Sequence, residues 1–241
     1  MDPTGVPISV TALTKSFGPH QALRGIDLHA EPGEVTGFLG PNGSGKSTTL
    51  RCLLGLHRPD GGTALVDGRP YAQLERPTTV VGAMLDALTV DPAMSGRDHL
   101  RVYAALGGHP ERRVDDCLEQ LSMQHYARRA LGGWSTGMRQ RLGIAIALLG
   151  DPGVIVLDEP TNGLDPEGIS WIRGLVRSWA DEGRTVLVST HVLAEVEDVL
   201  DAAVIIREGR TVAAGSLAEL ARSQGVETLE AIYATTAGSR A

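Results

Sequence analysis

The sequence predicts an α/β fold: a mostly parallel sheet, a small antiparallel β subdomain toward the N-terminus, and an inserted helical subdomain. Three observations predict it. Val35 to Leu39 is an apolar run that feeds a glycine-rich loop and then a helical stretch, Thr48 to Leu56. Val154 to Leu157 is all apolar, as suits a parallel strand buried on both faces. Between these runs the texture changes near Val90 from short strands to helical periodicity, and changes back after Gly150. A chain of 241 residues, 42% hydrophobic, accommodates one large α/β domain or a core with an insert.

The remaining elements follow in order. Residues 6 to 13 and 22 to 30 alternate loosely and read as short antiparallel strands. Phe17 lies between them in a Ser-Phe-Gly-Pro turn, where a packing aromatic is not the obvious choice. Pro-Asp-Gly-Gly at 59 to 62 and Asp67-Gly68 bracket another strand, Thr63 to Val66. Ser95-Gly-Arg-Asp98 reads as a capping box opening a helix with Leu100, Tyr103, Ala104 and Leu106, which Gly107-Gly108 ends. Pro110 opens a second helix, with Val114, Cys117, Leu118 and Leu121 on one face. A third begins near Gly137 and stops at Gly150-Asp-Pro. Beyond the strand at 154 come a helix with Ile169, Ile172, Val176 and Trp179 on its core face, strand Thr185 to Ser189, and a helix through Leu193 to Leu200. A hairpin at Glu208-Gly209 and a capping box at Ser216 to Glu219 complete the pattern. Residues past Ser223 offer no usable motif, and the last few are expected to fray.

Composition narrows the function classes. A net charge of −7 argues against nonspecific binding to nucleic acid, and no nucleic-acid partner is expected. Met-Asp-Pro-Thr-Gly at the start has no basic region leading into an apolar one, so no secretory signal is read. The longest apolar runs fall short of the roughly 20 residues of a membrane span. Cys52 and Cys117 lack metal-ligand spacing and form no disulfide framework, which suits buried thiols in a reducing compartment. A cytoplasmic location is the expectation.

The chemistry is concentrated at the strand ends. From Gly40 to Ser47 the chain reads Gly-Pro-Asn-Gly-Ser-Gly-Lys-Ser, with the spacing of a P-loop. Glycines there bring backbone N–H groups against phosphate oxygens, and the helix that follows points its positive end at the same anion. Nucleotide binding is expected across Gly40, Pro41, Asn42, Gly43, Ser44, Gly45, Lys46, Ser47 and Thr48. Lys46 would reach the β- and γ-phosphates, and Ser47 would ligand Mg²⁺. After the second buried run stand Asp158 and Glu159, at the strand end where open α/β sheets bind ligands. Asp158 suits Mg²⁺, and Glu159 suits polarising an attacking water. Asn162-Gly-Leu-Asp165-Pro makes a tight turn into a helix, with Asp165 placed to cap it. His191 ends the next apolar strand, within reach of a γ-phosphate. Trp134-Ser-Thr-Gly-Met-Arg-Gln-Arg141 leads into the third helix, and Ser135 and Gly137 at its start make a second anion site.

In this order, P-loop, helical insert, Ser-x-Gly-x-x-Gln-Arg, Asp-Glu after an apolar strand, Gly-Leu-Asp and a strand-end histidine, the sequence resembles the ATP-binding cassette of ABC transporters over roughly residues 5 to 216. The resemblance implies a P-loop NTPase core of the RecA-like kind. It divides the chain into a nucleotide-binding core of residues 1–90 plus 151–216, a helical signature subdomain of 91–150, and a short C-terminal helical tail of 217–241. It also implies ATP and Mg²⁺ as ligands, Glu159 and His191 as catalytic residues, and Phe17 as the ring on which adenine stacks. Two cassettes, the same or different, would pair head to tail, with Ser135, Thr136, Gly137 and Met138 of one contacting the ATP held by the other. A separate transmembrane permease subunit would hold the pair at the inner face of the cell membrane, docked around residues 80 to 100.

Three departures from the family pattern stand out. The signature Leu-Ser-Gly-Gly-Gln becomes Trp134-Ser-Thr-Gly-Met138, Asp86 stands near the usual metal-contacting glutamine, and the sequence ends soon after the cassette. The first two resemble the branch serving drug, antibiotic and bacteriocin-type exporters. The rival reading is a soluble cassette ATPase acting on ribosomes or DNA, but no internal repeat or sustained heptad supports it. A GTPase is disfavoured because no Asn-Lys-x-Asp run occurs.

Overall fold

The computed structural model describes residues 4–85, 89–226 and 228–238, with side chains as far as residue 236. Two sheets form its frame. The smaller is antiparallel, in the order β2-β1-β4, from β1 (Ile8–Phe17), β2 (His20–Ala30) and β4 (Gly61–Val66). Strand β1 runs on through Phe17, which pairs with His20, so this residue ends a strand rather than sitting in the turn. The larger sheet has the order β5-β6-β7-β3-β8-β9. Its parallel members are β3 (Val35–Leu39), β5 (Val81–Met84), β6 (Val154–Asp158), β7 (Thr185–Thr190) and β8 (Ala202–Arg207). Strand β9 (Arg210–Ser216) returns antiparallel to β8 through the Glu208-Gly209 hairpin. Every residue of β3, β6 and β7 is buried, which explains why these strands read as apolar runs without alternation.

Helix α1 (Lys46–Leu53) follows β3, and the short α2 (Pro77–Val80) precedes β5. Three helices stand between β5 and β6: α3 (Gly96–Leu106), α4 (Arg112–Gln120) and α5 (Thr136–Leu148). Ser95 caps α3 by accepting from the Asp98 N–H at 3.1 Å. Helix α6 (Pro166–Asp181) connects β6 to β7 and buries Ile172, Val176 and Trp179 against the sheet's core. Ser216 and Glu219 make a complete capping box at the start of α7 (Leu217–Gln224).

One element differs from expectation. Leu193 to Leu200 is not one helix but two short 3₁₀ turns, Leu193–Glu195 and Glu197–Val199. The guanidinium of Arg173, on α6, donates to the carbonyls of Ala194 and Glu195, taking acceptors that a continuous helix would use for itself. The C-terminal tail, expected to be helical, holds a further helix after α7, α8 (Leu229–Gly238). It buries Leu229 and Ile232, and the Leu229 N–H donates to Glu197 at 2.9 Å.

Candidate functional site

The central strands end where the sequence places its chemistry. At the exit of β3, a Cβ on Gly40 would lie 2.5 Å from the Ile206 carbonyl oxygen. Gly45 has φ of 110°, and a Cβ there would lie 2.6 Å from the Leu23 side chain. Only glycine meets both demands. The loop between them returns over the N-terminus of α1, which begins with Lys46, Ser47 and Thr48. Pro41, Asn42 and Gly43 are exposed, whereas Ser44 is buried and its hydroxyl has no hydrogen-bond partner. A buried unpaired hydroxyl costs about 1–3 kcal/mol. A phosphate oxygen at the helix N-terminus would supply the missing acceptor.

Lys46 is only 5% exposed. Its Nζ donates to the carbonyls of Gly40 at 2.8 Å and Pro41 at 3.4 Å, and lies 3.2 Å from Glu159 Oε1. The other carboxylate oxygen of Glu159 is 2.7 Å from His191 Nδ1. The three side chains therefore link the ends of β3, β6 and β7. Glu159 has φ of 50°, the left-handed region that non-glycine residues rarely adopt. Strand β7 holds it there: the Glu159 N–H donates to the Ser189 carbonyl at 3.1 Å and to its hydroxyl at 3.2 Å. The Ser189 hydroxyl in turn donates to the Asp158 carboxylate. Backbone held in such a region points to a residue whose direction matters. Ser47, Asp158 and Glu159 share a cleft of about 440 Å³ with Thr136, Gln140 and Asn162.

The second expected anion site, at the start of α5, shares Thr136 with that cleft but otherwise lies apart from it. Ser135 caps α5, accepting from the Met138 N–H at 3.3 Å, and it faces solvent with Thr136. Ser135, Gly137 and Met138 line a different groove, of about 450 Å³, with Leu164 and Asp165. One chain does not bring Ser135 and Gly137 to its own P-loop cleft. Beneath them Trp134 is buried against Tyr126, ring centroids 5.0 Å apart and edge to face. A Cβ on Gly96 would lie 2.2 Å from that indole, so the tryptophan at the usual leucine position fills space that glycine leaves open.

Asp165 caps α6, accepting from the Gly168 N–H at 2.8 Å. Phe17 is 45% exposed, with the His57 ring 5.3 Å away and Lys15 Nζ 5.5 Å from its centroid. Asp86 lies outside the described residues. The sequence shows Gln140 as part of the Ser-x-Gly-x-x-Gln-Arg run but gives a role neither to this residue, whose Nε2 donates to the Pro160 carbonyl at 2.9 Å, nor to Glu195, which accepts from Thr161 at 2.5 Å. Both contacts join segments far apart in sequence, and neither residue type signals its partner.

A family model described as ABC transporter matches residues 23–162. This chain belongs to the ABC transporter family. It is 38% identical over 206 residues to the bacitracin transport ATP-binding protein BcrA of Bacillus licheniformis, covering 84% of this chain and 67% of that one. The lantibiotic transport ATP-binding protein SrtF of Streptococcus pyogenes is 34% identical over 205 residues, covering 85% and 89%. Among solved structures, an ATP-binding subunit of an ABC transporter is similar with a TM-score of 0.84 at 27% identity, covering 95% of this chain and 99% of the other. The chain is an ABC ATPase, as its motif order implies, and the relatives favour the transporter reading over the ribosome or DNA alternative. No helix among the described residues is long and apolar enough to cross a membrane.

Proposed function

We propose that this ABC ATPase powers a separate transmembrane permease that exports antibiotic- or peptide-like molecules, the class named in its bacitracin and lantibiotic relatives. The catalytic part rests on one observation: Lys46, Glu159 and His191 join in a chain of contacts at a cleft that Ser47 and Asp158 also line. In this reading the ATP phosphates lie in the Gly40–Thr48 loop, and Phe17 stacks on adenine. Ser47 and Asp158 fit Mg²⁺, since a hydroxyl and a carboxylate are the oxygen donors that this ion takes beside substrate phosphates. Bound there, Mg²⁺ would supply neutralisation of the phosphate charge. Lys46 turns from Glu159 to the phosphates, which frees the carboxylate to take a proton from the attacking water. His191 holds the other oxygen of Glu159 and reaches toward the γ-phosphate.

Each site is completed by Ser135, Thr136, Gly137 and Met138 of a second cassette, either another copy of this chain or a related subunit. ATP binding closes the pair and hydrolysis lets it reopen, a population shift driven by the ligand. For the permease, the best-suited surface is an apolar groove of about 520 Å³ that includes Val81–Ala83, Leu85, Tyr103 and Leu106. Leu106 is 78% exposed and Leu56, on its rim, 64%. Such an unpaired apolar patch marks a protein contact. Docking there would hold the cassette at the inner face of the membrane.

The test is to isolate tagged Glu159→Gln protein, with ATP, from detergent-solubilised cells. A multi-span membrane protein is expected to come with it. Recovery of ribosomes or DNA-bound proteins without a membrane protein would contradict the proposal.

A further inference from the structure

Three consecutive residues of the turn after β6 are each tethered to a different side chain. His191 meets the Glu159 carboxylate at 2.7 Å, Gln140 donates to the Pro160 carbonyl at 2.9 Å, and Glu195 accepts from the Thr161 hydroxyl at 2.5 Å. His191 and Glu195 both belong to the segment that leaves β7, and Arg173 pins that segment to α6 through the carbonyl of Glu195 at 2.7 Å. These two tethers are fixed to the sheet. Gln140 reaches the turn from a different element, α5, whose N-cap is Ser135. Ser135 and Gln140 sit about 8 Å apart along one rigid helix, at 1.5 Å of rise per residue.

We infer that Gln140 is a positioning residue that links the signature to the catalytic carboxylate of its own chain. The inference rests on the head-to-tail reading above. In that arrangement Ser135 touches the ATP held by the second cassette, whereas Glu159 serves the ATP held by its own chain. A shift of α5 as Ser135 engages one nucleotide moves the Pro160 carbonyl through a single hydrogen bond. Glu159 directly precedes Pro160 and stands at φ of 50°, a narrow basin held by two bonds from its N–H to Ser189. A small rotation there changes whether the carboxylate points at Lys46 or at water. Occupancy of one ATP site thereby sets the aim of the base in the other, a coupling that must act in both directions for binding.

Three substitutions separate this role from bulk. Gln140→Leu keeps the volume and removes the donor, Gln140→Glu places an acceptor against the Pro160 carbonyl, and Gln140→Lys keeps a donor of similar reach. ATP turnover by the assembled transporter is expected to fall about tenfold in the first two, with the KM for ATP within about twofold, since misplacing a catalytic group by an ångström costs up to about 100-fold. Gln140→Lys is expected to recover most of the lost kcat. Wild-type kcat in Gln140→Leu, or a loss that Gln140→Lys does not repair, overturns the inference. Sedimentation of Glu159→Gln protein with ATP and its partner cassette tests the underlying arrangement separately. Pairing there with unchanged kcat in Gln140→Leu defeats the role of Gln140 alone, whereas no pairing defeats the head-to-tail reading itself.

Discussion

The P-loop and the signature are both segments at a helix N-terminus, built from glycine and hydroxyl side chains, yet their surroundings are opposite. Around the P-loop the donors are assembled in advance. Lys46 and Ser44 are buried, and Gly40 and Gly45 touch neighbouring strands too closely for any side chain. At the signature, Ser135 and Thr136 face solvent, and the packed part lies beneath them in Trp134 and Tyr126. A preassembled site pays little ordering cost when its ligand arrives. An exposed one gains its worth when a second surface brings the ligand to it. In the proposed function, the cassette thus holds ATP on one side and reads another cassette's ATP on the other.

The comparison can be broken most severely on the P-loop side. Glu159→Gln is expected to cut ATP turnover by about 10²–10⁴-fold, the scale of general base catalysis, while ATP still binds in titration calorimetry. Lys46→Ala should weaken ATP binding by about 10–100-fold, which corresponds to losing charge-assisted hydrogen bonds worth about 1.5–3 kcal/mol. On the signature side the expected change is in stability. Trp134→Ala empties a buried site and should cost about 3–5 kcal/mol in urea unfolding, with the ATP affinity of the folded protein unchanged.

The smallest expected effect is on pH dependence. Burial holds His99 on α3 below its ordinary value of 6.5, with Nε2 unpartnered and the ring packed 5.1 Å from Tyr103. His109 shifts the same way, through burial first and then Arg76 and Arg113. The folded chain binds these protons less readily than the unfolded chain, so the stability they contribute is present above pH 6.5 and is lost as pH falls below it. Unfolding midpoints at pH 7 and pH 5.5 should differ more in the wild type than in His99→Phe.

What the sequence made legible was whatever is written locally. The P-loop, the Asp158-Glu159 pair, the caps Ser95, Asp165 and Ser216, and the buried strands all announce themselves within a few residues, because their physics is a spacing or a period. The parts that stayed hidden depend on distant partners. Nothing near Leu193 says that Arg173 will take its helix's acceptors, nothing near Trp134 says that Gly96 will leave room, and nothing near Gln140 names Pro160. The tail is expected to be helical, but the sequence does not place α8 within it, for a related reason: among its described side chains the buried ones are Leu229 and Ile232, too sparse to show a period.

The most direct test of the division between holding and reading is Ser135→Ala, measured twice. Titration of ATP into the isolated chain should give a Kd within about twofold of wild type, because Ser135 stands outside the P-loop cleft. Turnover by the assembled transporter should fall at least about tenfold, the scale of losing one preorganised donor to a developing charge. If instead Ser135→Ala weakens the chain's own ATP binding as much as Lys46→Ala does, or leaves turnover untouched, the two sides do not divide the work in this way.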